Sequence, residues 1–142
     1  GNGNAIARYV QRTVTLADGQ DAEDLKVFIT AYKPSTANIK LYVKLLNGED
    51  GESIDDRTWL ELTQTTSSTV VSDSENRDDF REFEYGIPTA SLTGAGGQVQ
   101  YTTSAGVTYT GFKYFKIKAV LLSTSSSIVP RVTDFRAIAL QI

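Results

Sequence analysis

Tyr114-Phe115-Lys116-Ile117-Lys118-Ala119-Val120-Leu121-Leu122 decides the fold class. Phe115, Ile117, Ala119 and Leu121 fall on one side of an extended chain. Tyr114, Lys116, Lys118, Val120 and Leu122 fall on the other. A two-residue period of this kind is the signature of a β-strand with one buried face. A glycine at 111 precedes the stretch and the polar loop from Ser123 to Ser127 follows it.

Working outward, the same period recurs along the chain. Leu25, Val27, Ile29 and Ala31 oppose Lys26, Phe28, Thr30 and Tyr32, and Pro34 ends that run because proline cannot donate to a ladder. Ile39, Leu41, Val43 and Leu45 oppose Lys40, Tyr42 and Lys44. The connection from Lys33 to Asn38 is too short for a parallel crossover, so these two strands are expected to pair antiparallel. Tyr9 to Leu16 alternates as one further strand, with Val10, Val14 and Leu16 on one face and Asp18-Gly19 as its turn.

Other runs read less strongly. Ile54 to Leu62 is expected to open with a short helical turn and become a strand near Trp59. Thr65 to Ser72 reads as a loop leading into an edge strand, and Phe80 to Tyr85 alternates until Ile87-Pro88 stops it. Gly94-Ala95-Gly96-Gly97 reads as a flexible loop. Gln98 to Thr103 and Val107 to Thr110 form a hairpin around Ser104-Ala105-Gly106. The last strand is expected from Phe135 to Ile142. Eight or nine short strands with almost no helix predict an all-β fold. The expected form is an antiparallel β-sandwich, jelly-roll-like, with an up-and-down barrel as the alternative.

The chain has 142 residues, no Cys, no His and no Met, 40% hydrophobic and 22% charged residues, and a net charge of -3. One domain is expected at this length. Without Cys, no disulfide supports the core and no thiol serves as nucleophile. Without His, the commonest general base and metal ligand is missing. Net negative charge argues against nucleic acid as a partner. No apolar run reaches the roughly 20 residues of a membrane helix, so membrane insertion is not expected. The polar start Gly1-Asn2-Gly3-Asn4 reads as a linker or vector-derived segment. Residues 1–8 are therefore expected outside the domain and residues 9–142 within it. The segment is expected to come from a longer polypeptide, with simple Met removal as the alternative.

No catalytic residue can be defended. Adjacent carboxylates such as Asp55-Asp56 point to opposite strand faces and make no acid–base pair across a cleft, so a role in a turn and a pairing with Arg57 are expected instead. Asp18, Asp21 and Asp24, and likewise Asn47, Glu49, Asp50 and Glu52, lack the spacing of a calcium loop and read as solvated acidic turns. Asp78, Asp79, Glu82 and Glu84, balanced by Arg77 and Arg81, read as a charged face protecting a strand edge. Gly94 to Gly97 lacks the Lys-Ser/Thr of a phosphate loop. The serines and threonines have no base to activate them. No metal and no cofactor are expected. The aromatics Tyr101, Tyr109, Phe112 and Tyr114 have two readings, as core filling or as a ligand-binding platform for glycans. Trp59, flanked by Leu60 and Leu62, is expected to be packed.

Several phrases occur in a distinctive order: Arg8-Tyr9-Val10-Gln11-Arg12-Thr13-Val14-Thr15-Leu16, then Asp21-Ala22-Glu23-Asp24-Leu25-Lys26-Val27, Ala31-Tyr32-Lys33-Pro34, Ile39-Lys40-Leu41-Tyr42-Val43-Lys44, and Asp55-Asp56-Arg57-Thr58-Trp59. Phe115-Lys116-Ile117-Lys118, Val129-Pro130-Arg131-Val132 and Asp134-Phe135-Arg136-Ala137-Ile138-Ala139-Leu140 follow. In order and spacing the set resembles a domain of virion structural proteins of tailed bacteriophages, including contractile-tailed phages of cyanobacteria. The stretch from Gly86 to Thr110 falls outside the resemblance and reads as a variable insertion. The resemblance implies a tail, tail-fibre or baseplate component with no catalytic role and no cofactor. Such a part is assembled in the host cytoplasm and retained in the virion. It implies partners that are other virion proteins or copies of the chain itself, with a carbohydrate-binding module for host-surface glycans as the alternative. Arg136 and Asp134 are expected to form an ion pair in the last strand.

Overall fold

The segments with the clearest alternation become the central strands. The structure, a computed structural model, describes residues 4–142. Strands β1 (Asn4–Val10), β2 (Val14–Thr15), β3 (Asp24–Tyr32), β4 (Ala37–Leu46), β5 (Leu60–Glu61) and β6 (Thr63–Gln64) come first. They are followed by β7 (Arg81–Gly86), β8 (Gln100–Thr102), β9 (Thr108–Thr110), β10 (Tyr114–Ser123) and β11 (Arg131–Leu140). Among the described residues, helix is confined to three 3₁₀ turns, at Ile54–Asp56, Thr89–Ser91 and Ala95–Gly97.

The fold is an antiparallel β-sandwich. One sheet runs β1-β10-β4-β5, with β2 also on β10; the other runs β11-β3-β7-β6. Strands β8 and β9 form a separate hairpin, turning at Gly106. Successive long strands β1, β3, β4, β7, β10 and β11 lie alternately in the first and the second sheet. Connections that switch sheets in this way are jelly-roll-like. Eleven strands replace the expected eight or nine, because β2, β5 and β6 are only two residues long.

The core lies between the sheets. Leu25, Val27, Ile29 and Ala31 of β3 face Ile39, Leu41, Val43 and Leu45 of β4 and Phe115, Ile117 and Leu121 of β10. Phe83 and Tyr85 of β7 complete the layer. Burying each large apolar side chain contributes about 1.5–3 kcal/mol, which no single turn or ion pair matches. This layer explains why β3 and β4 do not pair, contrary to expectation. Each presents an unbroken apolar face, and the short connection turns a corner at the buried Pro34, where the Ala37 amide donates to the Pro34 carbonyl at 2.9 Å. The two strands therefore stack across the core instead of lying side by side.

The N-terminal expectation needs two corrections. Residues 4–8 are not linker; they belong to β1, which pairs with β10 from Asn4↔Ser123 to Val10↔Lys118. Gly1, Asn2 and Gly3 lie outside the described residues. The single strand read from 9 to 16 is two strands, because an extra residue interrupts the ladder. Val10 pairs with Lys118, the Gln11 amide donates to the Ile117 carbonyl at 2.9 Å, and Val14 pairs with Phe115. Four residues on one side therefore span three on the other, which is a bulge.

Three further differences follow from the packing. No strand follows residues 65–72; the chain loops until β7. Strand β7 lies between β3 and β6, but the two-residue β6 pairs only with Tyr85 and Gly86, so the charged start of β7 at Arg81 and Glu82 remains at the edge of its sheet. Strand β11 starts at Arg131, and its inward residues are Val132, Phe135, Ala137 and Ala139. The segment read as an insertion is tied into the core: Val99 is buried and its amide donates to the Glu23 carbonyl at 2.9 Å.

Candidate interaction surfaces

The two long sides of the sandwich differ. On one, the chain passes from β5 on β4 to β6 on β7, so residues 60–64 cross between the sheets and Leu62 plugs the gap. On the other, β1 and β11 are the last strands of their sheets, and among the described residues no strand bridges them. A slot of about 230 Å³ opens there, walled by Tyr9, Val132 and Phe135 and floored by Ile29, Leu41 and Ile117. Tyr9 is 59% exposed. Ile6, Val10 and Val14 on β1 and β2 are also exposed, as are Ile138 on β11 and its neighbours Val129 and Ile142. Large exposed apolar side chains thus concentrate on the open side. Tyr9 stands at the slot itself, while Val10, opposite Lys118, and Ile138, opposite in parity to the inward Ala137 and Ala139, lie along the same edges on the outward faces of the two sheets.

The outward face of the first sheet carries cations. Lys116 sits opposite Lys44, Lys118 opposite Tyr42, and Val120 stands between Arg8 and Lys40. Trp59 lies on this face and not in the core: Lys44 and Lys118 place their ammonium groups 4.9 and 4.6 Å from its ring centre. The chain turns outward at the Ile54–Asp56 3₁₀ turn, whose cap is Ser53. Burial, then repulsion from Arg8 and Lys44, lowers the Lys118 ammonium pKa. Asp55 offsets the crowding by pairing with Lys116 at 3.4 Å. Arg57 does not pair with Asp55 or Asp56. It approaches Glu52 at 3.9 Å and donates to the Leu45 carbonyl at 2.9 Å.

The four aromatics proposed as a platform are not brought together. Phe112 is 0% exposed and packs edge-on against Phe115 with ring centres 5.8 Å apart. Tyr114 lies on the outward face of β10. Only Tyr101 and Tyr109 meet, on the β8–β9 hairpin, with centres 5.7 Å apart. The Arg57 guanidinium covers the Tyr101 ring at 3.7 Å. The Tyr101 hydroxyl donates to Asp50 Oδ2 at 2.7 Å and accepts from the Asn47 amide at 2.9 Å. Burial raises its pKa. Tyr101 thus fastens the hairpin to the loop after β4.

A groove of about 730 Å³ lies at the opposite corner, between the start of β4 and the loop after β6. Lys33 reaches into its wall. The residue continues the inward row of β3, and it is 6% exposed. Its backbone amide donates to Ser72 Oγ at 2.9 Å, and its ammonium lies 4.8 Å from the centre of the Phe83 ring. Among the described residues no carboxylate lies within 4.0 Å of it and no acceptor takes its proton. Burial lowers its pKa. The sequence places Lys33 at the start of the connection between β3 and β4. Its position two residues after Ala31, on the buried parity, was the available signal.

The acidic loops are engaged in their own turns. Asp18 pairs with Lys113 at 2.6 Å, and the Asn47 and Asp50 side chains accept from the amides of Glu49 and Glu52. Among the described residues no group of three carboxylates is placed to hold a metal ion. No helix among them is long and apolar enough to cross a membrane. In comparisons with protein-family models, curated proteins and solved structures, nothing matches this chain.

Proposed function

We propose that this chain is a structural domain that works through protein–protein contact, with a second copy of itself docked on the open side. One observation carries the reading: a slot into the core opens between the edge strands β1 and β11 beside the exposed Tyr9, and further exposed apolar side chains stand along the same two edges, Val10 on the outward face of one sheet and Ile138 on that of the other. Covering such a patch is what an interface between subunits does. The charges on β11 favour a copy of the same strand. Read antiparallel about a two-fold axis at Phe135, Asp134 of one copy meets Arg136 of the other, and the reverse pair forms symmetrically. Both residues stand on the exposed face of an edge strand.

The ordered phrases that resemble tailed-phage virion proteins support placing this contact in a tail, tail fibre or baseplate. A domain of this kind requires no catalysis, and its rigid β-layers suit a part that must survive outside the cell.

Light scattering on the purified protein tests the reading. The wild type is expected to run as a dimer or larger. Asp134→Arg sets like charges against each other and yields monomer, while the double exchange Asp134→Arg with Arg136→Asp restores the oligomer. A wild type that stays monomeric at high concentration, or a double exchange that stays monomeric while fully folded, overturns it.

A further inference from the structure

We infer that the groove beside Lys33 is a binding site for a carboxylate carried on a hydroxylated small molecule, that is, a sugar acid. The inference starts from the ammonium. A lysine nine-tenths buried is ordinarily paired, because desolvating its charge is costly. Lys33 has a ring face beneath it and no carboxylate beside it. Thr36 Oγ1 is the sole side-chain polar atom among the described residues that is sealed from water without a partner, so the Lys33 ammonium keeps access to the groove. A buried cation open on one side to a cavity is a receptor for an anion.

The other lining groups select the rest of the ligand. Ser35, Asn38, Gln64 and Ser68 offer hydroxyl and amide groups that both donate and accept, which matches the vicinal hydroxyls of a sugar. Val71, half-buried in the wall, supplies apolar surface against which a ring can lie. The volume, about 730 Å³, lies within the range of small-molecule sites. Charge count distinguishes carboxylate from phosphate. Lys33 and Lys40 face the groove with Glu61, leaving one net positive charge. That charge balances a monoanion and leaves a phosphate dianion in excess. The site is separate from the open side of the sandwich and does not depend on self-association.

The test is a titration of the wild-type protein, labelled with ¹³C at lysine Cε, with glucuronate, glucose, acetate and inorganic phosphate. Glucuronate is expected to give a saturable shift of the Lys33 resonance, with glucose and acetate each binding about tenfold or more weakly. Lys33→Met, which keeps the apolar stem and removes the charge, is expected to lose the glucuronate affinity by a similar factor. Four results overturn the inference: no saturable shift at Lys33, equal binding of glucose, equal binding of acetate, or tighter binding of phosphate. The labelled wild type decides the matter even where the variant fails to fold.

Discussion

The hydroxyl of Tyr85 on β7 donates to the carbonyl of Ile39 on β4 at 2.7 Å, joining the two sheets through the core by a side chain. The carbonyl sits near the start of β4, next to the corner where the chain changes sheet. Tyr85→Phe leaves the ring in place and strips the carbonyl of this donor. The expected cost is about 1–2 kcal/mol, read as a fall in midpoint on thermal unfolding. Burial also raises the Tyr85 pKa above its ordinary value of 10.0. A group whose pKa is raised on folding contributes stability that is complete below its unfolded value and is lost as pH rises toward the folded one. The wild-type advantage over the phenylalanine variant should therefore shrink only above about pH 10.

Lys33→Met should move the other way. Replacing a buried, unpaired ammonium with an apolar side chain of similar length is expected to stabilise the fold by about 1 kcal/mol or more. The Lys33 pKa is lowered by burial. The unfolded chain therefore holds the proton more tightly, and wild-type stability rises as pH climbs through the folded pKa toward 10.5. Denaturant titrations of both proteins should show the gap closing in the alkaline range. A variant less stable than wild type at neutral pH would contradict this.

Two glycines with nearly the same backbone should respond differently to alanine. Gly19 has φ +77° and open space around it, while Gly111 has φ +79° and the Ala22 carbonyl 2.8 Å from where a Cβ would stand. Gly19→Ala bears only the left-handed backbone penalty, about 1–2 kcal/mol. Gly111→Ala must in addition displace the bridge between Ala22 and Phe112, where the Phe112 amide donates to that same carbonyl at 2.8 Å. It should cost at least about 1 kcal/mol more than the first substitution, measured side by side in urea.

Acid sensitivity should trace to particular carboxylates. Asp79 has its pKa lowered, first by the hydrogen bond from Arg81 and then by the Asp73 amide; Asp18 is lowered by Lys113. A carboxylate lowered on folding contributes stability above its unfolded value of 3.8, and the contribution disappears as pH falls through the folded value. Asp79→Asn and Asp18→Asn should each flatten the acid limb of the stability profile, and Asp18→Asn should also flatten the alkaline limb, because Asp18 raises the Lys113 pKa above 10.5. Asp18 faces solvent and Asp79 is partly exposed, so the effects should be small and should fade in high salt.

What could be read from the sequence depended on where each strand lies. Strands β3, β4 and β10 sit inside their sheets with one face wholly in the core, so their alternation is strict and their side chains sort as expected. The hairpin at Gly106 was equally legible, because glycine and small polar residues mark a local turn. Strand β1 was not, since an edge strand with both faces near solvent leaves little periodic signal and a bulge at residues 11–13 shifts its register. Pairing was harder than existence: the short connection between β3 and β4 suggested neighbours, whereas two fully apolar faces are better buried against each other. Trp59 was misplaced because flanking leucines say nothing about which face of the sheet a residue takes. The Asp134–Arg136 pair does form, at 3.8 Å, although Arg136 lies nearer to Glu82 at 3.2 Å, a residue more than fifty positions away that no local reading could supply.

The alternation of long strands between the sheets has a kinetic consequence. Apart from the small β8–β9 hairpin and the two-residue strands β5 and β6, which pair with β4 and β7, no strand of the sandwich pairs with the strand next to it in sequence. Strand β10 must collect β1 and β4, and β11 must collect β3, each across many tens of residues. Loop closure therefore precedes most of the gain from burial, and folding of such a topology is slow for its size. Neither layer can close on a ribosome before residues 114–140 have emerged. A nascent chain arrested at residue 112 should stay protease-sensitive, with its apolar rows open to whatever chaperone meets them.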